Sequence, residues 1–228
     1  MSDFPIRYFP LGDAALTVEF GNAISEHLND KAIALANAVA SERFPWLIES
    51  VPAYASTTFF YDPLIVKSMF PDGETAFAAV REVISGMVSR MPQRVGDIVA
   101  EAIDITVDFG PDAALDLDYI ADISGLDQRE TIEIFTSREY RVYMLGFLPG
   151  FAYLGEVDER IAVPRRSSPR TSVPKGSVGI AGRQTGIYPL RSPGGWQIIG
   201  RTDLELFTPY GDTLTQLRPG DRVRFVPK

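Results

Sequence analysis

The pattern of apolar and polar positions divides the chain into two parts. In the first third, strands and helices alternate. Ala14 to Phe20 reads as a strand. Ser25 then caps a helix whose apolar positions, Leu28, Ala32, Leu35, Ala36 and Val39, fall three and four apart, a spacing that puts them on one helical face. Pro45 closes that helix. Ile48 to Tyr54 and Thr57 to Tyr61 follow as two short strands around a turn. A second helix, about 74–90, carries the stripe Phe77, Val80, Val83, Ile84, Met87 and Val88. The order β-α-β-β-α is most of a split βαβ, ferredoxin-like unit. A strand at 102–109 would close it, or would belong to the next domain.

Met91 to Gly96 reads as a linker. Beyond it, Asp116 and Asp127 read as N-caps of two short helices. Asp127 and Glu130 form a capping-box pair, and Gly125 separates the helices. Their charges are thereby explained without assigning them chemistry. From Arg141 onward helical periodicity stops, and glycine and proline become frequent. Short β-prone runs appear at Arg141–Leu145, Ser177–Ala181, Trp196–Gly200, Leu204–Thr208 and Arg222–Val226, with a turn at Pro219-Gly220-Asp221. Many short strands with turn signals imply a β-barrel or sandwich. No repeat array is present; Val163-Pro164-Arg165 and Val173-Pro174-Lys175 read as two similar turns.

Composition narrows the chemistry. The 228 residues suit one large domain or two small ones, and 45% hydrophobic with 23% charged residues is ordinary for a soluble globular chain. No apolar run reaches the ~18 residues a bilayer span needs. The start, Met1 to Pro5, lacks the basic and apolar regions of a signal peptide, so the expected location is the cytoplasm. There is no cysteine, which excludes disulfides, a thiol nucleophile and thiolate metal sites. The single histidine, His27, falls in the first amphipathic helix, where a surface or half-buried role is expected, and no metal site is proposed. Acid–base chemistry must then come from Asp, Glu, Lys, Tyr or a partner.

The net charge of −8 argues against general nucleic-acid binding. The charge is segregated, however. Seven basic residues, Arg165, Arg166, Arg170, Lys175, Arg183, Arg191 and Arg201, lie between Val163 and Thr202, with no acid among them. A basic segment in an acidic chain points to a local anionic ligand. The plainer alternative is a solvated surface paired with acids from elsewhere in the chain.

Three stretches concentrate the remaining information. Gly146 to Gly155 mixes glycine, proline and aromatics, has no phosphate-loop pattern, and suits a rigid loop lining an apolar pocket or simply covering a barrel end. Val163 to Gly182 offers guanidinium forks, an ammonium and hydroxyls on a proline-stiffened loop. Gly182 to Thr202 adds Gln184 and Thr185 as directional hydrogen bonders, with Trp196 as a pocket wall or as core. The expected ligand contacts are Lys175, Gln184, Thr185, Tyr188 and Arg201, then Arg166 and Arg170. Phe147, Phe151 and Trp196 are the expected pocket walls. No nucleophile is evident.

GFLPGFAYLG, VPRRSSPRTSVPKGSVGIAG and QTGIYPLRSPGGWQIIGRT resemble the signature blocks of the family of B-type 5-oxoprolinase subunits (PxpB), also called KipI or allophanate hydrolase subunit 1. Gly12 to Leu16, Val18 to Phe20 and Val51 to Tyr54 resemble its opening. The resemblance is dense from Tyr140 to Thr202 and looser before. It implies an α+β chain: an N-terminal ferredoxin-like α/β domain, 1–92, then a C-terminal cyclophilin-like β-barrel, 93–228, with two short helices at its start. It implies membership of an ATP-dependent complex that cleaves 5-oxoproline to glutamate. The implied partners are a KipA-like subunit (the C-type member of the 5-oxoprolinase complex) and a LamB/YcsF-like subunit (its A-type member), with no nucleic acid and no membrane. The same resemblance extends to inhibitors of a sensor histidine kinase and to urea carboxylase-type carboxyltransferases. One departure is Phe135, where relatives often carry histidine; it bears on the substrate.

Overall fold

The computed structural model describes residues 5–72, 75–92 and 101–228. The chain divides into two compact units, 1–98 and 99–228. The expected linker lies, beyond Pro92, outside the described residues, and so does the start of the expected second domain. Glu74, where the second helix is expected to begin, lies outside them too.

The N-terminal unit contains β1 (Arg7–Pro10), β2 (Ala15–Glu19), α1 (Glu26–Ser41), β3 (Leu47–Pro52), β4 (Ser56–Tyr61), α2 (Pro63–Met69) and α3 (Ala76–Ser89). The strands form one antiparallel sheet in the order β1-β2-β4-β3. The stripe read from the sequence is the buried face of α1: Ala32, Leu35, Ala36 and Val39 are buried. Ala32, Leu35 and Val39 join Leu16, Val18, Phe59 and Tyr61 from the sheet and Val80 and Ile84 from α3 in one core. Ser25 sits at the N-cap of α1 but makes no side-chain cap bond. His27 is exposed, as expected. β1 and α2 were not anticipated. Asp62 explains α2: its Oδ1 accepts from the N–H groups of Leu64 and Ile65, with Pro63 in the first turn. β1 supplies the fourth strand of this sheet from ahead of β2. The strand at 102–109 does not close it, so the ferredoxin-like connection expected from the sequence is not confirmed.

That later strand, β5 (Ile103–Val107), belongs to the C-terminal unit. It is followed by α4 (Leu117–Ser124), α5 (Gln128–Thr136), β6 (Glu139–Leu145), β7 (Ala152–Gly155), β8 (Arg170–Val173), β9 (Ser177–Ala181), β10 (Gln184–Ile187), β11 (Ser192–Gly194), β12 (Gln197–Arg201) and β13 (Arg222–Pro227). Seven strands form a sheet in the order β12-β9-β10-β7-β6-β13-β5, antiparallel except for β13 with β5. β8 and β11 pair separately. Asp127 and Glu130 make the expected capping box, and Gly125 ends α4 in the left-handed region at φ 66°. The expected strand at Leu204–Thr208 does not form. Only Phe207 bridges, to Thr215, through Thr208 N–H to Leu214 O and Gln216 N–H to Leu206 O, and Pro209 has no N–H to extend a ladder.

The sheet curls until its two edges meet. Asp108, just past β5, exchanges both backbone hydrogen bonds with Arg201 at the end of β12, at 2.8 and 2.9 Å. The sheet is therefore nearly closed and barrel-like, with Ile105, Val107, Tyr140, Val142, Leu154, Val178, Ile180 and Phe225 inside. Phe135 is part of this core. It is fully buried, stacks on Phe225 at 5.0 Å, and contacts Tyr140, whose hydroxyl donates to its carbonyl. Phe135 therefore serves packing inside the barrel. The seam needs Gly200: a Cβ there would lie 2.6 Å from Val107 Cγ1 and 3.0 Å from Asp108 O. Gly200→Ala is expected to destabilise the C-terminal unit by about 1–3 kcal/mol, the usual range for overpacking. The measurement is the urea midpoint followed by Trp196 fluorescence in a Trp46→Phe background; an unchanged midpoint would show that the seam tolerates a methyl group.

Candidate functional site

Along β7, β9 and β10, alternate residues face opposite sides of the sheet. Ala152, Leu154, Val178, Ile180 and Ile187 enter the barrel core. Tyr153, Ala181 and their neighbours face the other way and meet Phe151, Val173, Tyr188, Trp196 and Ile198 in a second cluster. The rings stack edge to face. Phe151 lies 5.2 Å from Tyr188 and 5.6 Å from Trp196, and Tyr153 lies 5.8 Å from Trp196. Bare backbone makes room for them: a Cβ on Gly186 would be 2.9 Å from Phe151 Cζ, and one on Gly179 would be 3.0 Å from Trp196 Cβ. These glycines serve close packing.

Phe147 stands at the rim, 60% exposed, with its ring edge-on to Phe151 and Tyr188. Its φ is 66°, a conformation that disfavours bulky side chains and that clusters at functional loops. The three expected pocket walls thus come together. Phe147 presents surface, while Phe151 and Trp196 are buried behind it at 1% and 5% exposure.

The basic stretch is placed over this cluster, and its charges separate. Arg166 and Arg170 both turn to Asp116. Arg166 Nη1 donates to Asp116 Oδ1 at 3.0 Å, and Arg170 donates to both carboxylate oxygens at 2.8 and 2.7 Å. Ile198 N–H adds a third donor at 2.6 Å. Asp116 is 5% exposed and sits at the N-cap of α4 as expected, but its side chain makes no cap bond there. It instead ties the 164–170 loop to β12. Arg166 N–H to Gly195 O and Gln197 Nε2 to Pro164 O complete that joint.

The other expected contacts also find partners inside the chain. Lys175 Nζ binds Glu205 at 2.5 and 2.6 Å on the surface. Arg183 pairs with Glu156 at 2.6 Å. Thr185 is fully buried and donates to Gly179 O, so its hydroxyl supports the sheet. Gln184 begins β10, paired across to Ala181 and Gly155. Tyr188 is buried in the ring cluster. Its hydroxyl accepts the Trp196 backbone N–H, and burial pushes its pKa up against that bond. The Arg201 main chain forms the seam; its guanidinium has no carboxylate partner among the described residues.

Arg165 is the residue that sequence reasoning missed. Its guanidinium lies over the Trp196 ring at 5.8 Å and close enough to Tyr153 and Tyr188 to oppose the rise that burial gives their pKa values. It has no carboxylate partner among the described residues. Tyr153, half-buried, keeps its proton at neutral pH and has no hydrogen-bond partner among the described residues for its hydroxyl. The signal was available in the Arg165-Arg166 pair, since adjacent residues of an extended loop face opposite ways. The result is an edge-to-face aromatic cluster with Phe147 exposed at its rim, beside an unpaired cation and an unpaired phenol donor. This suits a small planar ligand bearing a carboxylate. It does not suit a triphosphate, because four of the seven basic residues are already neutralised by Asp116, Glu205 and Glu156. Among the described residues no cluster of three His, Asp or Glu is placed to hold a metal ion, and no helix is long and apolar enough to cross a membrane.

The carboxyltransferase domain, subdomain C and D, matches residues 6–217. The B-type 5-oxoprolinase subunit of Bacillus subtilis (strain 168) is 44% identical over 217 residues, 95% of this chain and 90% of that protein. Among solved structures, TTHA0988 superposes with a TM-score of 0.80 at 35% identity over 98% of this chain, which spans only 41% of that longer chain. The conserved uncharacterized protein PH0987 from Pyrococcus horikoshii is 44% identical over 97% of each chain, with a TM-score of 0.55.

Asp116→Asn leaves two guanidiniums facing a neutral amide in a partly buried site. The expected loss is about 2–4 kcal/mol, below the value for fully buried pairs because both arginines keep some solvent contact. Trypsin should then cut at Arg165, Arg166 or Arg170 about thirtyfold faster or more, since local opening scales with the lost stability. Unchanged cleavage would mean that the loop is held by something other than this carboxylate.

Proposed function

This chain belongs to the carboxyltransferase domain, subdomain C and D, family and to the B-type 5-oxoprolinase subunits within it, and from that premise we propose that it is the B-type subunit of an ATP-dependent 5-oxoprolinase. The reaction opens the lactam of 5-oxoproline to L-glutamate. The single observation that carries the reading is Arg165: a guanidinium without a carboxylate, held over Trp196 beside the free Tyr153 hydroxyl. 5-Oxoproline is a small, nearly planar ring with one carboxylate and one amide carbonyl. Arg165 takes the carboxylate, a charge-assisted contact that a planar fork makes well. The exposed edge of Phe147 lies against the ring, and Tyr153 donates to the lactam oxygen.

A five-membered lactam is a stable amide, which is the reason for coupling to ATP. A phosphoryl group on the amide oxygen activates the carbonyl carbon toward water; the C–N bond then breaks, the ring nitrogen leaves as the free amine, and the acyl phosphate that remains is hydrolysed to glutamate and phosphate. Among the described residues four of the seven cations of the basic stretch are paired with acids, which disfavours a triphosphate there, so we place ATP on a partner. We assign that partnership to a KipA-like (C-type) subunit and a LamB/YcsF-like (A-type) subunit. The longer TTHA0988 chain supports shared work of this kind, because there the homologous region is part of a larger polypeptide. The finer features belong to the same proposal: a cyclophilin-like barrel in 93–228, a ferredoxin-like relationship in 1–92, and a cytoplasmic location.

The test is co-expression with both partners, followed by an assay of ATP-dependent glutamate release from 5-oxoproline. Omission of this chain should abolish release. Arg165→Ala should raise KM by about tenfold or more, as expected for loss of a charged hydrogen bond, while Lys175→Ala stays within about twofold, as for an exposed ion pair. Equal effects of the two substitutions would remove Arg165 from the substrate site, and release without this chain would overturn the reading.

A further inference from the structure

The N-terminal unit carries a groove that the proposed substrate site does not use. It has a volume of about 1190 Å³ and follows one side of α3 from Ala78 to Arg90. At 1.5 Å rise per residue that is roughly 18 Å of helix. The volume exceeds the roughly 300–1,000 Å³ of ordinary small-molecule sites and matches a segment of chain better. Phe44, Met69 and Phe70 line it beside the α3 residues. Phe44 is held rigidly, stacked on the buried Trp46 at 4.7 Å. Met69 is 46% exposed, at the end of α2.

Two independent features describe what the groove would hold. The first is Gly86. It lies in the last turns of α3, is exposed, and a Cβ built on it meets nothing within 4 Å. The fold therefore needs no glycine there, and glycine is the poorest helix former after proline. What its missing side chain provides is close approach to the α3 backbone from outside. Ala78 and Ala79, two turns earlier, keep the same lining shallow. The second feature is charge. Glu42, Asp72 and Glu82 line the groove, and none has a cationic partner among the described residues. The single guanidinium of the lining, Arg90, turns its Nε back to Gly86 O at 3.1 Å. The complementary surface is apolar, able to approach a bare backbone, and basic at its edges.

We infer that this groove is the docking surface for a basic amphipathic helix of a partner subunit. The inference rests on the reading of the chain as one member of a complex and adds the place where the partner sits. Close packing over Gly86 supplies the apolar contact, and Glu42, Asp72 and Glu82 fix the orientation of the incoming helix and exclude acidic ones.

The experiment uses the full chain co-expressed with the two partners, with assembly measured by size-exclusion chromatography and by the dissociation constant of the purified components. Gly86→Leu fills the groove with a better helix former, so the melting temperature of the free chain should rise by about 3 °C while affinity for the partner falls about tenfold or more. Glu82→Lys should leave the melting temperature within about 1 °C, as exposed surface changes do, and weaken assembly similarly. Opposite movement of stability and affinity is what a structural role for Gly86 does not produce. Wild-type affinity in both variants overturns the groove as the docking surface while leaving the subunit reading intact. A fall in the melting temperature of Gly86→Leu also counts against it, since the fold would then need the glycine. Failure of the unaltered chain to assemble overturns both readings together.

Discussion

The carboxylate of Asp116 holds three separate parts of the C-terminal unit in register. It accepts from the Ile198 backbone in β12, from Arg166 in the loop before β8 and from Arg170 at the start of β8. A buried carboxylate is unfavourable unless its oxygens are satisfied by donors, and here several N–H groups converge on it. Because Arg166 is drawn down to this acid, the chain direction at that point sets Arg165 on the other side, over Trp196. The proposed ligand contact is thus a consequence of an internal ion pair.

The seam between β5 and β12 complements that joint. Two backbone hydrogen bonds between Asp108 and Arg201 bring the sheet edges together, and Gly200 permits the approach. Closure removes exposed edges that would otherwise invite pairing with other chains. It also fixes β12, which carries Ile198 and follows directly on Trp196. The barrel is therefore a frame for the opposite face of its own strands, where the glycines let aromatic rings lie on backbone.

Charge explains why the site is small. A run of seven basic residues suggests a broad anionic surface, but folding brings acids from distant parts of the chain to four of them. Exposed pairs such as Lys175 with Glu205 add little stability and mainly cancel field. What remains beside the aromatic cluster is the Arg165 guanidinium and the Tyr153 phenol, enough for a carboxylate and a carbonyl. The N-terminal unit shows the reverse case: its groove keeps its acids unpaired among the described residues.

The amphipathic stripes of α1 and α3, the capping box of α5 and the left-handed Gly125 were legible in the sequence because each depends on residues three or four apart. The family was legible from its dense blocks between Tyr140 and Thr202. The strands β7, β10 and β11 were hidden because their glycines read as turns until the rings that pack on them are known. The N-cap position of Asp116 was legible, but its side-chain partners were hidden because they lie 50, 54 and 82 residues away, beyond any local pattern. The same distance hid Arg165: seven cations look equivalent along the chain, and only the fold decides which of them meet an acid. Sequence by itself determined the elements whose energetics are local, and tertiary structure decided the site, because a charge is cancelled or left free by neighbours in space.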